Sequence, residues 1–101
     1  MEKIKFLPLG SIVIATNGMQ RVMIIGRALQ VRNQEKGKNV FYDYAAVAYP
    51  QGLSGAKVLY LNNDDINKVI HKGYSDKEDQ NMTEAINQYI LSHPDILRAS
   101  K

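Results

Sequence analysis

The stretch "YLNNDDINKVIHKGY", Tyr60 to Tyr74, crowds amides, carboxylates, a lysine and a histidine between Asn62 and His71. It reads as a metal site, an acid/base site or the start of a helix, and the choice sets both fold and function. Ile66, Val69 and Ile70 recur at spacings of three and four, which places them on one face of a short helix. Asn62 or Asn63 is a suitable N-cap, and Asp64 and Asp65 then fall in the first turn, where the helix dipole favours negative charge. Gly73 follows as a left-handed C-cap. Adjacent aspartates do not face each other on a helix, His71 lies six residues beyond Asp65, and no calcium-loop spacing is present. The acidic cluster is therefore read as a helix start, with no metal and no cofactor.

Upstream, the pattern is that of strands. "SIVIAT" sets Ile12 and Ile14 on one face and Ser11, Val13 and Ala15 on the other. Asn17-Gly18 favours the positive φ angles of a tight hairpin, and "RVMIIGRALQV" is the returning strand, with Gly26 marking a bulge. "NQEKGKN" (33–39) is a looser turn, "VFYDYAAVAY" a third strand, "PQGLSG" a loop and "AKVLYL" a fourth strand. The short connections require antiparallel neighbours.

Downstream, "SDKE" has the form of a capping box with Ser75 at the cap and Glu78 three residues on. Met82, Ala85, Ile86, Tyr89 and Ile90 form an apolar stripe, and Pro94 ends the helix. The tail from about residue 94 reads as frayed. The sequence thus predicts a single α+β domain over residues 1–101. A small, strongly curled, barrel-like antiparallel sheet of four to five strands carries a short helix and a C-terminal helix.

Composition bounds the function. With 101 residues, 45% apolar and 23% charged, the chain suits one globular core. No run of about 18 apolar residues is present, so no membrane span is expected. Pro8 and Gly10 interrupt the N-terminus, which is read as lacking a signal peptide. The absence of cysteine excludes disulfides, thiolate catalysis and cysteine zinc sites, and fits a cytoplasmic location. Ser54 lacks the preceding glycine of a nucleophile elbow, and "GLSG" lacks the lysine of a phosphate loop, so no catalytic residue is assigned and the chain is not read as an enzyme.

Residues 1–61 carry eight Lys/Arg against three Asp/Glu, whereas residues 62–101 carry five against seven. A basic front half suits nucleic acid or an acidic protein surface, or is simply solvated. Tyr42, Tyr44, Tyr49 and Tyr60 lie on strands with Arg21, Arg27, Arg32 and Lys57 near them in sequence. Interleaved aromatic and basic residues are used by single-strand nucleic-acid binders, and equally by a sheet whose tyrosines half-bury their rings at its rim.

Three stretches, "FLPLGSIVIATNGMQRVMIIGR", "YDYAAVAYPQGLSG" and "YLNNDDINKVIHKGYSDKED", resemble the domain-of-unknown-function family 4176 over about residues 6–90. The elements that carry the resemblance are Leu7–Ser11, Gly26-Arg27, Tyr49–Gly52, Asp65-Ile66 and Gly73-Tyr74. The resemblance implies a small Gram-positive bacterial protein encoded beside type VII secretion loci. Such a protein is expected to bind an LXG toxin as a non-enzymatic adaptor or chaperone, in the cytoplasm or in association with its secretion cargo. No catalytic residue carries over. Tyr44, Tyr49 and Tyr74 are the candidate partner contacts. The alternative is a small nucleic-acid-binding β-barrel.

Overall fold

The computed structural model describes residues 4–15, 18–33, 38–53 and 57–94. Five strands, β1 (Ile12–Ala15), β2 (Arg21–Asn33), β3 (Lys38–Ala48), β4 (Leu59–Leu61) and β5 (Ile66–His71), form one antiparallel sheet in the order β4-β3-β2-β1-β5. One helix, α1 (Lys77–Ser92), follows. The fold is α+β, as the sequence predicts, with the C-terminal helix in place. The register slips between Ile24 and Gly26, so the bulge expected at Gly26 is present. The Asn17-Gly18 turn, the tip of the 33–39 turn, part of the "PQGLSG" loop and the tail from residue 95 lie wholly or partly outside the described residues.

Two expectations are corrected. The sheet is open rather than strongly curled and barrel-like. β4 and β5 are its edges, and β4, three residues long, offers no ladder for β5 to close against. The expected short helix is absent. Asn63–Asp65 form a single 3-10 turn and Ile66–His71 are strand. The physical reason is in the register. Ala15, Ile14, Val13 and Ile12 pair with Ile66, Lys68, Val69 and His71, so Asn67 and Ile70 are extra residues inserted by two bulges. Each bulge shifts the phase of a period-two pattern, and two of them turn strand alternation into the spacing of three and four that mimics a helix. β-branched Ile66, Val69 and Ile70 favour the strand.

Val13, Val22, Ile24, Tyr44, Ala46 and Leu61 form a buried cluster, and Phe6 and Leu7 pack onto it. Tyr44 is fully buried, so it is a core residue and not the surface contact expected of it. Its hydroxyl accepts from the Leu7 amide at 2.9 Å and donates to Asn63 Oδ1, while Phe6 meets its ring edge-on. Beside it, Asp43 is buried. The Asp43 amide donates to Asn62 Oδ1 and its carboxylate accepts from the Asn63 amide, both at 2.9 Å. Asp65 accepts from the Asn62 amide at 2.8 Å. The amide and acid cluster of the quoted stretch therefore serves to fasten a turn to β3, since a buried polar group without a partner is costly.

Gly73 does not adopt a left-handed cap. Its Cβ position is blocked by the Leu9 carbonyl oxygen, so only glycine lets the chain leaving β5 pass this close to residues 9–11. Its amide donates to Ser11 Oγ at 3.0 Å, and that hydroxyl donates to the Pro8 carbonyl at 2.7 Å. Gly10, at φ +87°, makes the turn that brings Ser11 there.

The helix starts one residue later than its sequence signature. Asp76, not Ser75, is the N-cap and accepts from the Asp79 amide at 2.9 Å, while Ser75 donates to the Asp79 carboxylate. α1 is held by an Arg27–Asp79 ion pair at 2.8 Å, by Asn87 bonded to both the amide and the carbonyl of Ile4, and by buried Ile90. The expected apolar stripe is split. Ile86 and Ile90 turn inward, while Met82 and Tyr89 remain exposed.

Two outcomes follow for stability. Gly73→Ala adds a methyl group where backbone stands and should cost about 1–3 kcal/mol, the range for overpacking; an unchanged denaturant midpoint would show that residues 9–11 move aside freely. Burial pushes the Tyr44 hydroxyl up from 10.0 to about 12. A raised native-state value adds stability that is complete below pH 10 and is lost as the pH rises through about 12. Urea melts of wild type and Tyr44→Phe from pH 8 to 12 should show this loss only in the wild type, and parallel curves would refute it.

Candidate partner-binding surface

The sheet has a second face, opposite the buried cluster. Ile14 pairs with Arg21 on one side and Lys68 on the other. Tyr49 continues the row. Its amide donates to the Arg21 carbonyl at 2.9 Å, and the Arg21 guanidinium carbon lies 5.2 Å from the centre of its ring. The Gln20 side chain donates to the Tyr49 carbonyl at 2.9 Å and fixes the chain before the bend at Pro50. One row along, Ile12 pairs with Met23 and His71, and Met23 with Val47. Alternation puts both rows, Tyr49–Arg21–Ile14–Lys68 and Val47–Met23–Ile12–His71, on the same face.

Arg21, Lys68 and His71 are exposed, Ile12, Ile14, Met23 and Tyr49 are half-buried, and Val47, at the β3 end of the second row, is buried. The anchors of α1 lie elsewhere, at Arg27 and Ile4, and Phe6 and Leu7 pack on the buried cluster. The two rows carry no carboxylate. They combine an apolar centre with arginine, lysine and a tyrosine whose hydroxyl end can reach water, a composition enriched at protein interfaces.

The three tyrosines singled out from sequence are not brought together. Tyr44 is in the core. Tyr49 belongs to the open face. Tyr74 is 80% exposed, but it lies beyond the His71–Ile12 pair and bonds Asp76 through its hydroxyl. Sequence reasoning sets Arg21 with Tyr49 in the aromatic–basic group but misses Met23, Lys68 and His71 as members of the surface. Alternation in "SIVIAT" had already grouped Ile12 with Ile14. Lys68 and His71 were hidden because their segment had been read as a helix.

Among the described residues no three His, Asp or Glu side chains gather as metal ligands. A groove of about 360 Å³ opens between the start of β2 and β4, walled by Val22, Leu59 and Leu61, with Asp65 on its rim. That aspartate is already engaged with Asn62. Among the described residues no helix is long and apolar enough to cross a membrane.

No curated protein and no solved structure matches the chain. Residues 6–82, from the segment that covers Tyr44 through both rows of the open face to the first turns of α1, match the family described as Domain of unknown function (DUF4176), and the chain belongs to that family.

Proposed function

We propose that the chain is a non-enzymatic protein-binding accessory factor that meets its partner on the Tyr49–Lys68 face. The observation that carries this reading is the row in which exposed Arg21 and Lys68 flank half-buried Tyr49 and Ile14, on a face remote from the helix anchors. Large amphipathic side chains around an apolar centre are the residues that dominate interface energetics. The resemblance set out from the sequence supplies the choice of partner, an LXG toxin encoded nearby and destined for type VII secretion. It also supplies the role, a cytoplasmic adaptor or chaperone that holds the toxin before export.

Tagged wild type, Tyr49→Ala, Ile14→Asp and Tyr74→Ala are each co-expressed with the toxin, and retained toxin is measured after purification. Tyr49→Ala and Ile14→Asp should each weaken retention about tenfold or more, a loss of about 1.4 kcal/mol, with an unchanged circular dichroism spectrum. Tyr74→Ala should retain it. Full retention by both Tyr49→Ala and Ile14→Asp would remove this face from the interaction.

A second reading, a small nucleic-acid binder, draws on the Arg21–Tyr49 contact and on the Tyr42–Tyr60 ring pair, 5.4 Å apart. It requires binding to single strands that falls steeply with salt. The protein-binding reading expects only the non-specific range, about 10⁻⁴ to 10⁻⁶ M at physiological salt. A nanomolar shift of a mixed-sequence oligonucleotide, abolished by Tyr49→Ala, would reverse the order of the two.

A further inference from the structure

We propose that the open face receives an acidic amphipathic helix of the partner, laid along β1. The proposal rests on the protein-binding reading and specifies the chemistry of what is bound. Three features of the face select this occupant.

The first is width. Arg21 and Met23 stand on β2, Ile12 and Ile14 on β1, and Lys68 and His71 on β5. Two inter-strand spacings of about 4.8 Å separate β2 from β5, or about 9.6 Å. An α-helix with its side chains is about 10–12 Å across. One helix centred over β1 therefore reaches both flanking strands, with Tyr49 beside Arg21 at its margin.

The second is charge. Arg21 flanks the apolar strip on one side and Lys68 on the other, both exposed. A helix whose apolar ridge meets Ile12, Ile14 and Met23 places its two shoulders over these cations, so carboxylates on both shoulders are complementary. A second copy docked face to face about a two-fold axis would set a basic strip against the same basic strip. Complementary potentials suppress wrong partners in this way.

The third is the edge. Among the described residues β5 is paired on one side only, and an open outer side invites strand addition. Its two bulges, at Asn67 and Ile70, interrupt the regular spacing that an added strand needs. The face therefore offers a better seat than the edge.

The test uses three synthetic peptides of about 18 residues, roughly five helical turns. One has a leucine ridge with glutamate on both shoulders, the second the same ridge with lysine shoulders, and the third glutamate shoulders with an alanine ridge. Each is titrated into the full-length protein, with affinity read by fluorescence anisotropy and location by amide shifts in two-dimensional NMR. The glutamate–leucine peptide should bind at least about tenfold more tightly than either of the others, with shifts centred on Ile12–Ile14, Arg21 and Lys68. A folded Arg21→Glu/Lys68→Glu variant should prefer the lysine-shouldered peptide instead. Equal affinities, shifts centred elsewhere, or an unchanged preference in the variant would each overturn the proposal. A dimer seen by light scattering of the protein alone and lost in Arg21→Glu/Lys68→Glu would assign the face to a second copy and overturn it too. Toxin capture that needs Tyr49 and Ile14 but ignores the Arg21 and Lys68 charges would leave the protein-binding reading standing and remove only the acidic helix. If neither the toxin nor any peptide touches this face, both readings fall.

Discussion

Two polar side chains in the middle of β3, Asp43 and Tyr44, are the constraint on which the rest of the molecule depends. Both are buried, and a buried carboxylate or hydroxyl must find partners in the protein or lose several kcal/mol to desolvation. Their partners come from two distant parts of the chain. Leu7 arrives from the N-terminal segment, and Asn62 and Asn63 from the turn after β4. Satisfying β3 therefore fixes where the N-terminal segment crosses the core and where the chain turns before β5. Apolar burial by Val13, Val22, Ile24 and Leu61 contributes more free energy but tolerates several arrangements. The polar network tolerates few, which gives it a larger share in specifying the topology.

The same logic explains the short motifs that run along the chain. Leu7 bonds Tyr44. Ser11 bonds both Pro8 and Gly73, and Gly73 allows the approach that this bond needs. Arg27 pairs with Asp79 and sends a guanidinium hydrogen bond to the Leu7 carbonyl at 3.4 Å. Asp65 closes the turn before β5. These elements, separate in sequence, all have structural work to do. Tyr49 differs. Its backbone is fixed by Arg21 and Gln20, but its ring lies on the open face beside a cation, in the kind of position from which recognition operates.

Much of this was legible in the sequence, and the failures have physical causes. β1, β2 and β3 could be read because alternation and turn residues act locally. β5 could not, because its two bulges shift the alternation twice within six residues. The helix start was displaced by one because Ser75–Glu78 and Asp76–Asp79 are both plausible capping pairs, and geometry selected the second. The difference between Tyr44 and Tyr49 had no local signal at all. The two lie on one strand or its end. Which of them is covered depends on where residues 4–8 and the turn at 62–65 come to rest, and that is a property of the whole fold.

The open face would mean less if α1 could swing over to cover it, and the anchors of α1 oppose that movement. The Arg27 side chain is only 6% exposed and its counter-charge, Asp79, sits on the first turn of the helix. Burial alone would raise the Asp79 carboxyl, but the Ser75 hydroxyl and the Arg27 guanidinium outweigh it and hold the group below the usual carboxylate range. Releasing α1 strands the arginine, and breaking a fully buried pair by losing one partner costs about 3–5 kcal/mol; with Asp79 partly exposed the cost here is smaller but still opposes release. Asn87 adds two bonds to the Ile4 backbone, which release would also break. In place of buried Arg27, the open face offers Asp79 only the exposed cations Arg21 and Lys68, and ion pairs at exposed positions contribute little. The helix is thus held beside Arg27 and Ile4 by polar contacts, away from the row around Ile14.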